Sequence, residues 1–184
     1  MIFLKKYRIR KAYAHLQKSE RQRKGTIKPV TIEKAHFIQV TVSVETEESY
    51  NEILNLIGTL KSLGKEVQVA LFFSTKKTPS YVNINEISDD LLLFTKKQTE
   101  SVFKNPQSLL KHFTESQSDI LLNLCSPSLL ISSQATVYSN SKFRVATTDS
   151  SNYYGDLLVI CDPFTPISTR FQLIKDTLSI FKNH

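Results

Sequence analysis

Glycine and metal-ligating residues are scarce in this sequence, and each shortage argues against a class of site. Only four of the 184 residues are glycine, and neither GxGxxG nor GxxxxGK[ST] occurs. Because glycine lets the backbone approach a phosphate closely, we do not expect a dinucleotide site or a P-loop. The two cysteines and four histidines are scattered, without the short spacings of a structural zinc site. We therefore predict no metal site and no cofactor.

Long apolar runs are also missing. No run approaches the ~20 residues that a membrane-spanning helix needs. The opening stretch "MIFLKKYRIRKAYAHL" carries a charge every few residues and lacks the apolar core of a signal peptide. Two cysteines without a CxxC pair suit a reducing compartment. These features predict a cytoplasmic protein, with peripheral contact at the inner membrane face as an alternative.

Positive charge is concentrated at the start of the chain. Residues 1–28 contain ten Lys or Arg against a single acid, Glu20, which gives a net charge of +9. Residues 29–184 contain fourteen Lys or Arg and sixteen Asp or Glu, a net charge of −2. No glycine or proline precedes Gly25, and good helix formers dominate the segment. We predict a basic helical arm over residues 1–28 and a single α/β domain over residues 29–184.

The basic arm has three interpretations, which the sequence leaves open. It can bind RNA or DNA phosphates, lie on anionic phospholipid, or stay solvated or docked on its own domain. The candidate polyanion-binding residues are Lys5, Lys6, Arg8, Arg10 and Lys11. A membrane-surface helix usually has a broad apolar face with Trp or Phe, whereas this arm has narrow apolar stripes and no Trp. The partner and the oligomeric state stay open.

Beyond the arm, strand-like and helix-like segments alternate. The strand-like segments are 35–44, 66–74, 91–95, 119–125, 143–148 and 156–162. The helical patterns begin after Thr46 and at three prolines that follow a capping residue, namely Pro106, Pro127 and Pro166. This alternation predicts a mostly parallel sheet of five or six strands with helices on both faces. We expect an α/β three-layer sandwich in a flavodoxin-like or Rossmann-like strand order, preceded by the basic helix.

Polar side chains collect where the predicted strands end, the edge at which open α/β sheets bind ligands. Cys125 and Asp162 are the candidate catalytic residues, a nucleophilic thiol and an acid/base carboxylate. Ser126 and Thr147 are candidate ligand contacts at the same edge. Three of these four residues also have a purely structural interpretation. Cys125 can be a buried small side chain, Ser126 a helix cap and Asp162 a turn former.

The turn "SKFR" contributes two further candidates for anion binding. Lys142 and Arg144 flank Phe143 at the start of a predicted strand. Together they can clamp an anion near the edge of the sheet. The alternative is a basic turn that leads into the strand, with the lysine in solvent.

Several segments resemble an uncharacterised family of small bacterial proteins, a domain of unknown function, over nearly the full length. The shared features are the basic N-terminal helix and the stretches "LGKEVQVALFF", "DILLNLC", "NSKFRVATTD" and "YGDLLVICD". A partial likeness, over "DILLNL" and "SNSKFRVA", is to the N-terminal half of bacterial heptosyltransferases. Those enzymes bind a nucleotide sugar with a second domain, for which this chain is too short, so the likeness implies the fold rather than the activity.

No recognisable catalytic motif such as GxSxG or HExxH occurs in the sequence. We therefore expect a non-catalytic binding or accessory protein that uses its basic helix or the carboxyl edge of its sheet. One alternative is a small-molecule enzyme, transferase-like, with its site at that edge. Another is a nucleic-acid or ribosome-associated accessory protein.

Overall fold

A computed structural model describes residues 2–22, 27–83, 90–101, 106–125, 129–148, 154–162 and 164–183. Its helices are α1 (Ile2–Arg21), α2 (Glu47–Ser62), α3 (Lys96–Ser101), α4 (Pro106–Glu115), α5 (Leu130–Tyr138) and α6 (Ile167–Ser179), which continues into a 3-10 turn over Ile180–Asn183. Its strands are β1 (Phe37–Val44), β2 (Glu66–Phe73), β3 (Leu91–Phe94), β4 (Ile120–Asn123), β5 (Phe143–Thr148) and β6 (Leu157–Ile160). None of the helices in these ranges is both long and apolar enough to cross a membrane.

The strands form one parallel sheet. Within the described ranges the order is β3-β2-β1-β4-β5-β6, and every neighbouring pair is parallel. This is the strand order of the Rossmann fold, with its topological switch point between β1 and β4. The predicted α/β architecture is confirmed, and the Rossmann-like order holds rather than the flavodoxin-like one. The segment around Leu91 is confirmed as a strand and forms one edge.

Helices cover both faces of the sheet. On one face α2 and α6 pack against a large apolar cluster that contains every second residue of β1, from Ile38 to Val44. On the other face α4 and α5 contribute Phe113 and Ile131 to a smaller cluster. The helix α1 lies outside α5 and packs on it. Because α5 is enclosed by the sheet, α4 and α1, even its polar residues Ser132, Ser133, Gln134 and Thr136 are buried.

Local sequence explains the start of α2. Thr46 caps the helix by accepting from the Ser49 backbone N–H, and the Ser49 hydroxyl accepts from the Thr46 backbone N–H. Glu47 and Glu48 in the first turn complement the helix dipole. The predicted helix start after Thr46 is therefore confirmed. The bond from the Thr46 backbone N–H to the Ser49 hydroxyl was not predicted.

Some predicted boundaries are wrong. The last helix begins at Ile167 with Pro166 as its N-cap, and no side chain caps it, so Thr165 does not have the predicted capping role. The helix α5 begins at Leu130, three residues later than predicted, after an uncapped Leu129. The short helix α3 was not predicted, because it buries little apolar surface. The strand β6 covers Leu157–Ile160, shorter than the predicted 156–162, and is half-exposed at the sheet edge.

Candidate functional site

The helix α1 docks through one face on residues 29–184, which we call the body. Leu16 is only 1% exposed and is the buried apolar side chain of its described part. The ring of Tyr13 stacks on Tyr154, with centroids 6.4 Å apart. Burial raises the pKa of both phenols, and that of Tyr154 reaches about 12 with further contributions from Tyr13 and Glu20. This face thus combines apolar contact with aromatic stacking.

An ion pair also joins α1 to the sheet. Both carboxylate oxygens of Glu20 accept from the guanidinium of Arg144 in β5, at 2.8 and 2.9 Å. The backbone N–H of Gly155 donates to the same carboxylate at 3.1 Å. The Arg144 side chain is 1% exposed and the Glu20 side chain 21%, so the pair is largely shielded from water. Three donors of the body therefore converge on the one acid of residues 1–28.

Arg144 has no donor to spare for an external anion. Besides Glu20, its guanidinium donates to both oxygens of Asp156, at 3.0 and 3.4 Å, and to the Thr136 carbonyl oxygen at 3.0 Å. These bonds engage all five guanidinium N–H groups. Burial lowers the pKa of Arg144, but Asp156 and Glu20 outweigh it and leave that pKa raised. An anion could bind here only by displacing a carboxylate.

The opposite face of α1 is cationic. Arg10, Lys11, Lys18 and Arg21 are all exposed. At 100° per residue they fall within an arc of about 100°, on the side of the helix away from Leu16. We call these four residues the cationic face. It spans about 16 Å along the axis at the usual helical rise.

The remaining arm candidates lie in the first turns of α1. Lys5, Lys6 and Arg8 belong to its helical backbone. Their side chains lie outside what the structure describes, as do residues 23–26. Their role in polyanion binding stays a prediction.

The structure does not bring the four predicted ligand contacts together. Lys142 and Arg144 lie at the amino end of β5, whereas Thr147 lies near its carboxyl end. Ser126, after β4, is outside the described residues. Thr147 is buried and donates to the Asn123 carbonyl oxygen at 3.3 Å. The parallel sheet therefore separates Thr147 from Lys142 and Arg144, and a single site cannot contain these three residues.

Lys142 already has an anionic partner in the protein. Its ammonium donates to Asp119 at 2.6 Å, and the same carboxylate accepts from the backbone N–H groups of His36 and Phe37. The Lys142 bond, followed by the two backbone bonds, lowers the pKa of Asp119 to about 2. The pair ties the amino ends of β1, β4 and β5 together.

Cys125 has the surroundings of a structural thiol. It is 2% exposed, and burial raises its pKa to about 12 despite contacts with Thr41 and Ser132. A nucleophilic cysteine requires a thiolate and access, and this position supplies neither. The alternative of a buried small side chain describes it better.

Asp162 is exposed, and its Oδ1 accepts from the backbone N–H of Phe164 at 2.8 Å. This is the geometry of a turn former. A catalytic role for Asp162 stays a prediction. Within the described ranges no three His, Cys, Asp or Glu side chains gather as a metal site would need.

A cavity of about 470 Å³ opens at the carboxyl end of β1. It lies between the start of α2 and the segment that leads into α6. Its walls carry the carboxylates of Glu45, Glu48 and Glu52. The guanidinium of Arg170 also lines it, but donates to Leu124 and Thr165 carbonyl oxygens at 2.7 and 2.8 Å. Where a Rossmann fold usually holds a phosphate, this protein presents negative charge.

Two of the charged residues described above were missed by sequence reasoning. Glu20 stands alone among ten cations, and an isolated acid in a basic segment was a signal for an inward partner. Arg170 gave no such signal, because it lies on a helix with ordinary amphipathic spacing. Its contact with Leu124, the residue that follows β4, depends on where the fold places α6.

Comparison with models of protein families gives a match over most of the chain. A family model described as a family of unknown function, DUF6913, matches residues 5–181, which include most of α1 and all of the sheet. No curated protein matches the sequence. The likeness to heptosyltransferases therefore stays a prediction. Because the match covers nearly the whole chain, this protein belongs to the family of unknown function DUF6913.

Proposed function

We propose that this protein is a non-catalytic binding protein whose cationic face holds the phosphate backbone of a nucleic acid. The observation that carries the proposal is the division of charge across α1. The single acid of residues 1–28, Glu20, points inward and pairs with Arg144. The acid of this segment therefore lies on the docked side of α1 and not among the exposed cations.

The arrangement of the cations suits a polyphosphate chain. Arg10, Lys11, Lys18 and Arg21 form one row along a helix that rests on a folded body. Nucleic-acid affinity comes largely from such contacts, because each neutralised phosphate releases condensed counterions. A row fixed on a rigid support loses little conformational entropy on binding. RNA and DNA share this chemistry.

A nucleic acid fits better than a membrane surface. Membrane-surface helices insert apolar side chains into the lipid boundary. In the described part of α1 the apolar face is already used, since Leu16 is buried against the body. Among residues 9–22, whose side chains the structure describes, the exposed apolar one on the cationic side is Ala14, which is too small to anchor the helix.

The test compares two charge-reversal variants by fluorescence anisotropy with labelled single-stranded RNA and DNA. Lys11→Glu/Lys18→Glu/Arg21→Glu reverses three of the four charges of the cationic face. Lys76→Glu/Lys77→Glu/Lys175→Glu makes the same change in net charge at exposed sites on the body. We expect the first variant to lose at least about tenfold in affinity, and its salt slope to fall by about 2. The second variant should keep most of the affinity and the slope.

Two results would overturn the proposal. Equal losses in both variants would show that net charge, and not the cationic face, attracts the nucleic acid. Binding of the wild type to phosphatidylserine vesicles, but to neither RNA nor DNA, would assign the face to a membrane. The ratio of the wild-type affinities for the labelled RNA and the labelled DNA gives the preference between them.

A small-molecule enzyme with its site at the carboxyl edge is a second candidate, which the cavity near Glu45 favours. The surroundings of Cys125 count against a thiol mechanism there. A thermal-shift screen with nucleotide sugars and with amines tests it. The carboxylates lead us to expect no stabilisation by the anionic compounds. A nucleotide sugar that raises Tm in the wild type, and not in an Ile167→Trp variant that narrows the cavity, would favour the enzyme.

A further inference from the structure

We infer that the pair Glu20–Arg144 positions α1 so that the cationic face points to solvent, which makes Glu20 a positioning residue for the proposed nucleic-acid binding. The inference rests on the proposed function, but it concerns an acid. Ordinary electrostatics would count that acid as harmful to binding. Removal of Glu20 should strengthen binding if only net charge matters, and weaken it if Glu20 positions α1.

The carboxylate of Glu20 fixes the rotation of α1 about its own axis. At 100° per residue Glu20 lies within about 40° of Leu16 and about 20° of Tyr13, on the docked side. Its two oxygens meet two nitrogens of Arg144 at 2.8 and 2.9 Å, a bidentate arrangement that fixes direction as well as distance. With Tyr13 stacked on Tyr154 two turns earlier, α1 is held at two points along its length.

Gly155 completes the receptor for this carboxylate. Its φ of +141° belongs to a region that side-chain-bearing residues rarely adopt. A Cβ at this position would lie 3.3 Å from the Arg144 carbonyl oxygen. Glycine thus allows a backbone N–H to reach Glu20 beside the guanidinium. The body therefore contains a preformed binding site for one carboxylate, built from β5 and the turn before β6.

Arg144 is also held by contacts that do not involve α1. Asp156, only 2% exposed, engages its side chain and also accepts from its backbone N–H at 2.9 Å. Glu20 adds to a guanidinium that is already oriented. Loss of the Glu20 charge should therefore release α1 while the sheet stays intact.

The test uses Glu20→Gln in the full chain, with Glu66→Gln as the matched control. Glu66 is exposed at the start of β2, and the control changes net charge by the same amount. Simple electrostatics predicts tighter nucleic-acid binding for both variants. Positioning predicts weaker binding for Glu20→Gln, by about fivefold if the oriented state falls to about a fifth of the population. RNA anisotropy at fixed salt measures the difference.

A second readout does not depend on nucleic acid. Limited trypsin digestion at Lys11 and Lys18 should be faster in Glu20→Gln than in the wild type or Glu66→Gln, while cleavage within residues 29–148 is unchanged. Should Glu20→Gln prove unfolded by circular dichroism, Tyr154→Leu replaces it. That variant removes the ring under Tyr13 without a change of charge, and the same losses are expected.

The outcomes distinguish the inference from the function on which it rests. If the wild type binds no RNA or DNA, the proposed function fails, and faster digestion of Glu20→Gln still supports the positioning of α1. If the wild type binds and Glu20→Gln binds as well or better, the inference is overturned and the proposed function stands. Unchanged digestion of Glu20→Gln overturns the inference in either case.

Discussion

The guanidinium of Arg144 in β5 and the carboxylate of Glu20 in α1 meet through two hydrogen bonds, although 124 residues separate them in the chain. With Asp156 they form a triad in which one cation is shared by two acids. Bringing these charges out of water costs free energy, which the short bonds offset. The triad makes the α/β body and its first helix energetically interdependent.

Removal of the shared cation should be far more costly than removal of a surface cation. Arg144→Ala takes the guanidinium away from the buried carboxylate of Asp156, which keeps its bond from the backbone N–H at position 144. We expect the free energy of unfolding to fall by about 3–5 kcal/mol. The matched control, Lys175→Ala, removes an exposed cation from α6 and should change it by less than about 0.5 kcal/mol. Urea denaturation followed by far-ultraviolet circular dichroism measures both. Equal midpoints for the two variants would contradict this account of the triad.

The pair Asp119–Lys142 predicts a loss of stability in acid. The pKa of Asp119 is lowered to about 2, so its charged form stabilises the folded state above its usual pKa near 4. That contribution is lost as the pH falls from about 4 through about 2. We expect Asp119→Asn to be least stable relative to wild type at neutral pH, and the difference to shrink across this window. A difference in urea midpoint that is constant from pH 7 to pH 2 would show that the charge is unimportant.

Local patterns were enough to predict most of the architecture. The bounds of β5 and the start of α4 agree with the sequence prediction, because an apolar strand and a proline-initiated amphipathic helix are both defined by neighbouring residues. The Rossmann order was one of two expected, since periodicity does not say which strands become neighbours.

The contacts of α1 could not be predicted in the same way. Arg144 looked like half of an anion clamp with Lys142, because the two are close in sequence. The fold gives them different carboxylates, Glu20 and Asp156 for one and Asp119 for the other. Such pairings depend on tertiary packing across the chain. Only the isolation of Glu20 among cations pointed to them.

A buried polar network under α4 predicts that a more apolar side chain can destabilise the core. Gln39 is fully buried and donates to the Gln68 side chain at 2.8 Å and to the Phe113 carbonyl oxygen at 2.6 Å. Its own oxygen accepts from the hydroxyls of Ser118 and Ser141. Gln39→Leu keeps the volume but removes these bonds, at about 1–3 kcal/mol for each partner left unsatisfied.

The same substitution on the surface provides the control. Gln172→Leu lies on the exposed side of α6 and should change the free energy of unfolding by less than about 0.5 kcal/mol. If the stability of Gln39→Leu equals that of wild type in urea denaturation, hydrophobic gain outweighs the network. That result would refute the structural importance of these bonds.

The two cysteines should differ sharply in reactivity. Burial raises the pKa of Cys125 to about 12, so little thiolate forms at pH 8, and burial also keeps a reagent away from the sulfur. Cys161 is half-exposed. We expect a thiol reagent such as Ellman's reagent to label one cysteine per folded chain and two in urea. In a Cys161→Ser variant, folded protein should show almost no labelling. Rapid labelling of that variant would instead restore Cys125 as a candidate nucleophile at the carboxyl edge of the sheet.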